Sequence, residues 1–152
     1  MEARMKNPAF FIPGALDAIL ALTKAIEEKG GVPKNTLVYI SARASQLNGC
    51  SVCLEAAFKK NPEGSPPPNL YAVAAWRDMP YFDAAERVAL ALTDVITRQS
   101  EQNDGVTDEL WEEARRHYDE RQLAAIVLHI AVANVWNRLN VTVRQPADAP
   151  WS

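Results

Sequence analysis

The stretch from Leu123 to Val135 sets the tightest limit on what this chain can fold into, because within it only His129 and Asn134 are not apolar. Asp119 precedes it as a helix cap, with Gln122 at the reciprocal position of a capping box. A helix with so little polar surface has to be central and buried. It is too short and too interrupted to cross a bilayer, which takes about 20 largely apolar residues. The remaining chain must wrap it, and 152 residues is the size of one domain with a real core.

Helical stripes punctuated by Gly and Pro supply the wrapping. Leu16, Ile19, Leu20, Thr23 and Ile26 recur at helical spacing from Gly14 and stop at Gly30-Gly31, with Pro33 beyond. The run Thr36 to Ala42 has strand-like composition, yet Leu37, Ile40, Ala44 and Leu47 continue a helical stripe, and it reads as helix. Asn48-Gly49 breaks that helix and Ser51 offers a capping hydroxyl for another, which ends before the stiff Pro-rich loop from Pro62 to Pro68. Asn69 caps a short helix from Leu70 to Trp76, and Pro80-Tyr81-Phe82 turns the chain. Asp83 and Glu86 open a helix with Val88, Ala89, Leu92, Val95 and Ile96 on one face. After a loop from Ser100 to Gly105, Thr107-Asp108-Glu109 opens the next. No repeat and no series of alternating strands is present. The expectation is an all-α, single-domain bundle of about six to seven helices over residues 14–145. An N-terminal arm, residues 1–13, holds Pro8 and Pro13 around Phe10-Phe11-Ile12, aromatics in need of a surface, and a loose tail follows over 146–152.

With a formal charge of -3, charged residues at 23% and hydrophobic residues at 48%, nothing draws the chain to nucleic acid or an anionic membrane. Asp17 and Lys24 interrupt the first apolar stretch, so it does not read as a signal peptide, and the expected location is the cytoplasm. There, two cysteines are catalytic, redox-sensing or metal-binding rather than a structural staple.

Both cysteines fall in one Cys-x-x-Cys pair, Cys50 and Cys53. The pair has three readings: a redox couple, half of a zinc site, or two buried thiols. Zinc wants four ligands, and the remaining candidates His117 and His129 lack ligand spacing, so no metal or cofactor is expected. A thioredoxin-like domain would need a βαβ layout that is missing. If Cys53 lies one turn into a helix, the helix dipole stabilises its thiolate.

The string "RASQLNGCSVCLEAA", together with "WRDMPYFDAAERVALALTDVIT" and "VANVWNRLNVTVRQP", resembles the alkylhydroperoxidase D-like members of the carboxymuconolactone decarboxylase superfamily over most of the chain. The resemblance implies an all-α fold assembled as a homotrimer or homohexamer. It implies an antioxidant oxidoreductase in which Cys53 is the peroxidatic nucleophile and Cys50 the resolving thiol. A hydroperoxide or a partner's disulfide would be the substrate, and an external dithiol the reductant. Arg43, inside the motif, is a possible supporting residue that could pair with the thiolate; Tyr39, Glu55 and His129 are weaker candidates. Asn134, Asn137 and Arg138 read as hydrogen-bonding groups on a buried face.

Active members of the family place a glutamate twelve positions before the first cysteine, a histidine four positions after the second, and often a histidine or tyrosine just before the second. Here those positions hold Val38, Ala57 and Val52. All three changes remove proton-relay groups, which keeps a second reading open: a non-catalytic oligomeric binding or structural protein on the same scaffold.

Overall fold

The computed structural model describes residues 2–59, 67–101 and 105–148. Pro62 to Pro66 of the expected Pro-rich loop, residues 102–104 of the following polar loop, and residues 149–152 of the tail lie outside them. Six α-helices fill the described residues, α1 (Ala15–Lys29), α2 (Lys34–Asn48), α3 (Ser51–Lys59), α4 (Ala84–Thr97), α5 (Asp108–His117) and α6 (Glu120–Val143), with three short 3-10 turns and no strand among them. The all-α class is as the sequence implies.

Helix starts follow local side-chain chemistry. Asp83 accepts from the Glu86 amide while Glu86 accepts from that of Asp83, and Asp119 and Gln122 do the same at the head of α6. Thr107 caps α5. Two expected caps are corrected. Ser51 is the first residue of α3 and Cys50 precedes it, because Gly49 ends α2 with φ 67° and turns the chain so that the Cys50 amide donates to the Ser45 carbonyl. Asn69 is itself left-handed, φ 63°, makes no side-chain cap, and leads into a 3-10 turn over Leu70–Ala75 rather than an α-helix.

α6 packs against α2, and α2 in turn against α4, so these three helices carry the core. Ile40, Leu92, Ile126 and Ile130 are wholly buried between them. On the other side of α2 a second cluster gathers Tyr39, Val73, Trp76, Phe82 and Leu90. Gly30 lets the end of α1 lie on α6, since a Cβ there would come within 2.5 Å of the Ala125 Cβ. α6 is central but not buried all round: Leu128, Val135 and Val141 are exposed. At 24 residues it is longer than the core it crosses, and its apolar composition hides an outward face. No helix among the described residues is long and apolar enough to cross a membrane.

The N-terminal arm attaches differently from its expectation. Phe10, Phe11 and Ile12 stay exposed, whereas Asn7 and Ala9 are buried. The Arg4 amide donates to the Val143 carbonyl (2.8 Å) and its guanidinium to Thr142 (3.1 Å), which ties the arm to the end of α6.

Candidate functional site

The Gly49 turn puts Cys50 at the head of α3 and Cys53 third within it, among amide N–H groups that have no partner inside the helix. The two sulfurs are joined in a disulfide, with Cα atoms 5.3 Å apart. Cys50 is 1% exposed and Cys53 only part-buried, so an incoming reagent reaches Cys53 first. A helix start favours a thiolate by about 0.3–1 kcal/mol when the disulfide is opened.

Cys53 faces a groove of about 330 Å³ between α1, α2, α3 and α6. Leu16, Leu20, Ala56, Ala133 and Trp136 make its wall, and no charged side chain lines it. Ser41 and Ala57 join it to a second lobe of about 400 Å³, where Lys24, Glu27 and Lys34 stand around His129. Val38 and Ala57 both line that second lobe. Two of the three positions at which the family carries its relay therefore face the groove as apolar side chains, whereas Val52 is buried on the Cys50 side of α3.

A buried network of amides and hydroxyls backs the groove. Asn48 donates to the side-chain oxygens of both Asn134 and Asn137, each at 3.0 Å. Asn137 donates to Ser45, while Asn134 donates to Thr97 and accepts from Arg138. His129 Nε2 lies 3.0 Å from the Leu37 carbonyl and 2.9 Å from the Ser41 hydroxyl. A carbonyl only accepts, so Nε2 carries the proton. Asn134, Asn137 and His129 thus hydrogen-bond within the core, in keeping with their sequence reading, while Arg138, itself exposed, bonds to Asn134 from the edge.

The other candidates stand apart from the sulfur. Arg43 lies two residues from both Ser41 and Ser45 and so on the opposite side of α2. Its guanidinium makes two bonds to Asp94 and one to the Ala74 carbonyl. Tyr39 donates to the Pro68 carbonyl, and burial followed by the nearby Glu86 charge raises its pKa. Glu55 pairs with Lys59 at the surface. Among the described residues no three His, Cys, Asp or Glu side chains gather closely enough to hold a metal ion.

Two residues at the site escaped the sequence reading. Asn140 Nδ2 lies 3.4 Å from Cys53 Sγ, and Asn7 Nδ2 donates to Asn140 Oδ1 at 2.7 Å. Asn140 had a signal, since it continues the three-residue spacing of Asn134 and Asn137 on the face of Ile130 and Ala133. Asn7 had none.

A disulfide at the head of a helix thus opens on an uncharged lobe of a groove in an all-α bundle. Residues 13–95 match the carboxymuconolactone decarboxylase family, and the chain belongs to it. Its alkylhydroperoxidase D-like character extends to solved structures. A protein of unknown function from Agrobacterium tumefaciens, described as a candidate antioxidant defence protein AhpD, superposes with a TM-score of 0.85 at 27% identity, over 98% of this chain and 100% of that one. The debrominase Bmp8, at 22% identity and a TM-score of 0.74, shares the fold over 90% of this chain and 73% of its own. The uncharacterised protein YdfG of Bacillus subtilis (strain 168) is 31% identical over 76% of this chain and 78% of its own. YnjA of Escherichia coli (strain K12), also uncharacterised, is 30% identical over 72% of this chain, which spans 59% of the YnjA length.

Proposed function

We propose that this protein is a thiol-dependent oxidoreductase that reduces an organic hydroperoxide, or exchanges with a partner's disulfide, at Cys53. The observation that carries the reading is the placement of Cys53: part-buried, third in α3, open to the groove, and bonded to a buried Cys50. In the reduced protein the Cys53 thiolate attacks the O–O bond. The alcohol leaves after taking a proton, and sulfur becomes a sulfenic acid. The Cys50 thiol displaces water from it to close the disulfide. An external dithiol then attacks the more accessible sulfur, gives up two electrons and two protons, and leaves as its own disulfide. The reaction is set in the cytoplasm, and the chain works as a homotrimer or homohexamer, with exposed Phe10, Phe11, Leu128 and Val135 as apolar surface for the contacts.

A second reading has an observation of its own. Val38 and Ala57 leave the groove without the family's acid and base, which fits a scaffold that has ceased to catalyse. Intact-mass and stopped-flow analysis of the reduced protein with stoichiometric organic hydroperoxide, beside Cys53→Ser and Cys50→Ser, separates the two. The oxidoreductase closes an intramolecular disulfide in a reaction abolished by Cys53→Ser, while Cys50→Ser stalls at the sulfenic acid. Thiols that stay reduced with peroxide but exchange rapidly with a dithiol–disulfide pair leave only the disulfide exchange. Thiols inert to both reagents leave the scaffold.

A further inference from the structure

We propose that Asn140 stabilises the Cys53 thiolate through its side-chain N–H, and that Asn7, from the N-terminal arm, is the positioning residue that holds this amide the right way round. The inference rests on Cys53 being the attacking sulfur. It begins from a deficit: with Val38, Val52 and Ala57 apolar, no ionisable group stands at the usual relay positions, and a part-buried sulfur must carry a negative charge beside a lobe of the groove that no charged side chain lines. Asn140 Nδ2 lies 3.4 Å from that sulfur and donates toward it.

The orientation of the two amides follows from one fixed donor. The Ala9 backbone N–H can only donate, and it lies 2.9 Å from one atom of the Asn7 amide, which is therefore the oxygen. The Asn7 nitrogen then faces Asn140 at 2.7 Å and requires an oxygen there. Only the nitrogen of Asn140 is left to face sulfur. Asn7 and Asn140 are each 1% exposed, so water does not replace either contact. Arg4, bonded to the last turn of α6, holds the arm in register with this chain of amides. An N–H aimed at sulfur favours the charged over the neutral form, which lowers the thiol pKa.

Iodoacetamide alkylation of Cys53 as a function of pH, on reduced protein carrying Cys50→Ser, tests the inference without any peroxide. Asn140→Ala removes the donor, and Asn140→Asp sets an acceptor against the sulfur while still accepting from Asn7. Both are expected to raise the midpoint by about one pK unit or more, a roughly tenfold loss of thiolate below it. Asn7→Asp keeps the Ala9 bond but turns an oxygen toward Asn140, so the Asn140 amide reverses and shows its carbonyl to Cys53. Its midpoint rises too, and the rise vanishes when Asn140→Ala is already present. Superimposable profiles for the parent and both Asn140 variants overturn the role of Asn140. A rise from Asn7→Asp that survives in full beside Asn140→Ala is a through-space charge effect and overturns the positioning role. Thermal unfolding identifies variants that fail to fold; if Asn140→Asp is one, Asn140→Ala and Asn7→Asp decide the matter. Failure of the parent to turn over peroxide would remove the peroxidase and leave these titrations standing.

Discussion

Asp94→Asn should be among the most damaging single substitutions in this protein, while leaving the chemistry of Cys53 untouched. The Asp94 carboxylate is 6% exposed and receives two bonds from Arg43, itself 12% exposed, one from Arg77 (2.8 Å) and one from the Trp76 indole (3.4 Å). An asparagine keeps one acceptor but turns an N–H toward donors and strands the Arg43 cation in the core. Breaking a buried pair from one side costs about 3–5 kcal/mol. Arg77 is 60% exposed and stacks on Trp76 at 4.4 Å, so Arg77→Ala should cost only about 1 kcal/mol. Replacing both partners, Arg43→Met with Asp94→Leu, should recover most of the loss, because the only cation left without its carboxylate, Arg77, is exposed to water. Urea unfolding with an unchanged m-value measures all three. The reasoning fails if Asp94→Asn loses less than about 1 kcal/mol. It fails equally if Arg43→Met moves the alkylation midpoint of Cys53, which would bring Arg43 back as a partner of the thiolate.

Two further outcomes follow from the groove and from α4. Ala57 lies one turn beyond Cys53 on α3 and lines both lobes of the groove, so Ala57→His returns an imidazole to the relay position; peroxide-driven oxidation of Cys53 should quicken by about a hundredfold. An unchanged rate in a folded variant would show that the missing histidine does not limit the reaction. Glu86 has its pKa raised above the ordinary 4.5, chiefly by burial. Its contribution to stability is then full below that value and is lost as pH rises through the raised folded value. Glu86→Gln retains an acceptor for the Asp83 amide, so it should match the parent in acid and exceed it at neutral pH; identical pH–stability curves would refute this.

What could be read from the sequence was whatever depends on near neighbours. Capping boxes at Asp83 and Asp119 reach three residues, and the stripe through Leu37, Ile40 and Ala44 outweighs the strand-like composition around Tyr39 because a helical period is visible without knowing the fold. Ser51 and Asn69 misled because the backbone, not the side chain, sets those helix starts: left-handed residues at Gly49 and Asn69 itself redirect the chain. The cysteine pair and its family were legible, but not the surroundings of the sulfur. Arg43 finds Asp94 across 51 residues and Asn7 finds Asn140 across 133, and no local pattern announces either partner. Composition also concealed the outward side of α6, since Leu128 and Val135 look no different in sequence from Ile126 and Ile130.

The bond between Asn7 and Asn140 also gives the site an order of assembly. During synthesis Cys50 and Cys53 leave the ribosome well before Asn140 has been added, and α3 can form around them first. Asn140 follows 87 residues after Cys53, so for much of its synthesis the nascent chain carries the cysteine pair without the amide that later faces it. Contacts of such long sequence separation form late in folding. The pair therefore meets cellular thiols and oxidants first as an ordinary dithiol at a helix end, and acquires its amide environment only when the first and last segments of the chain have closed on each other.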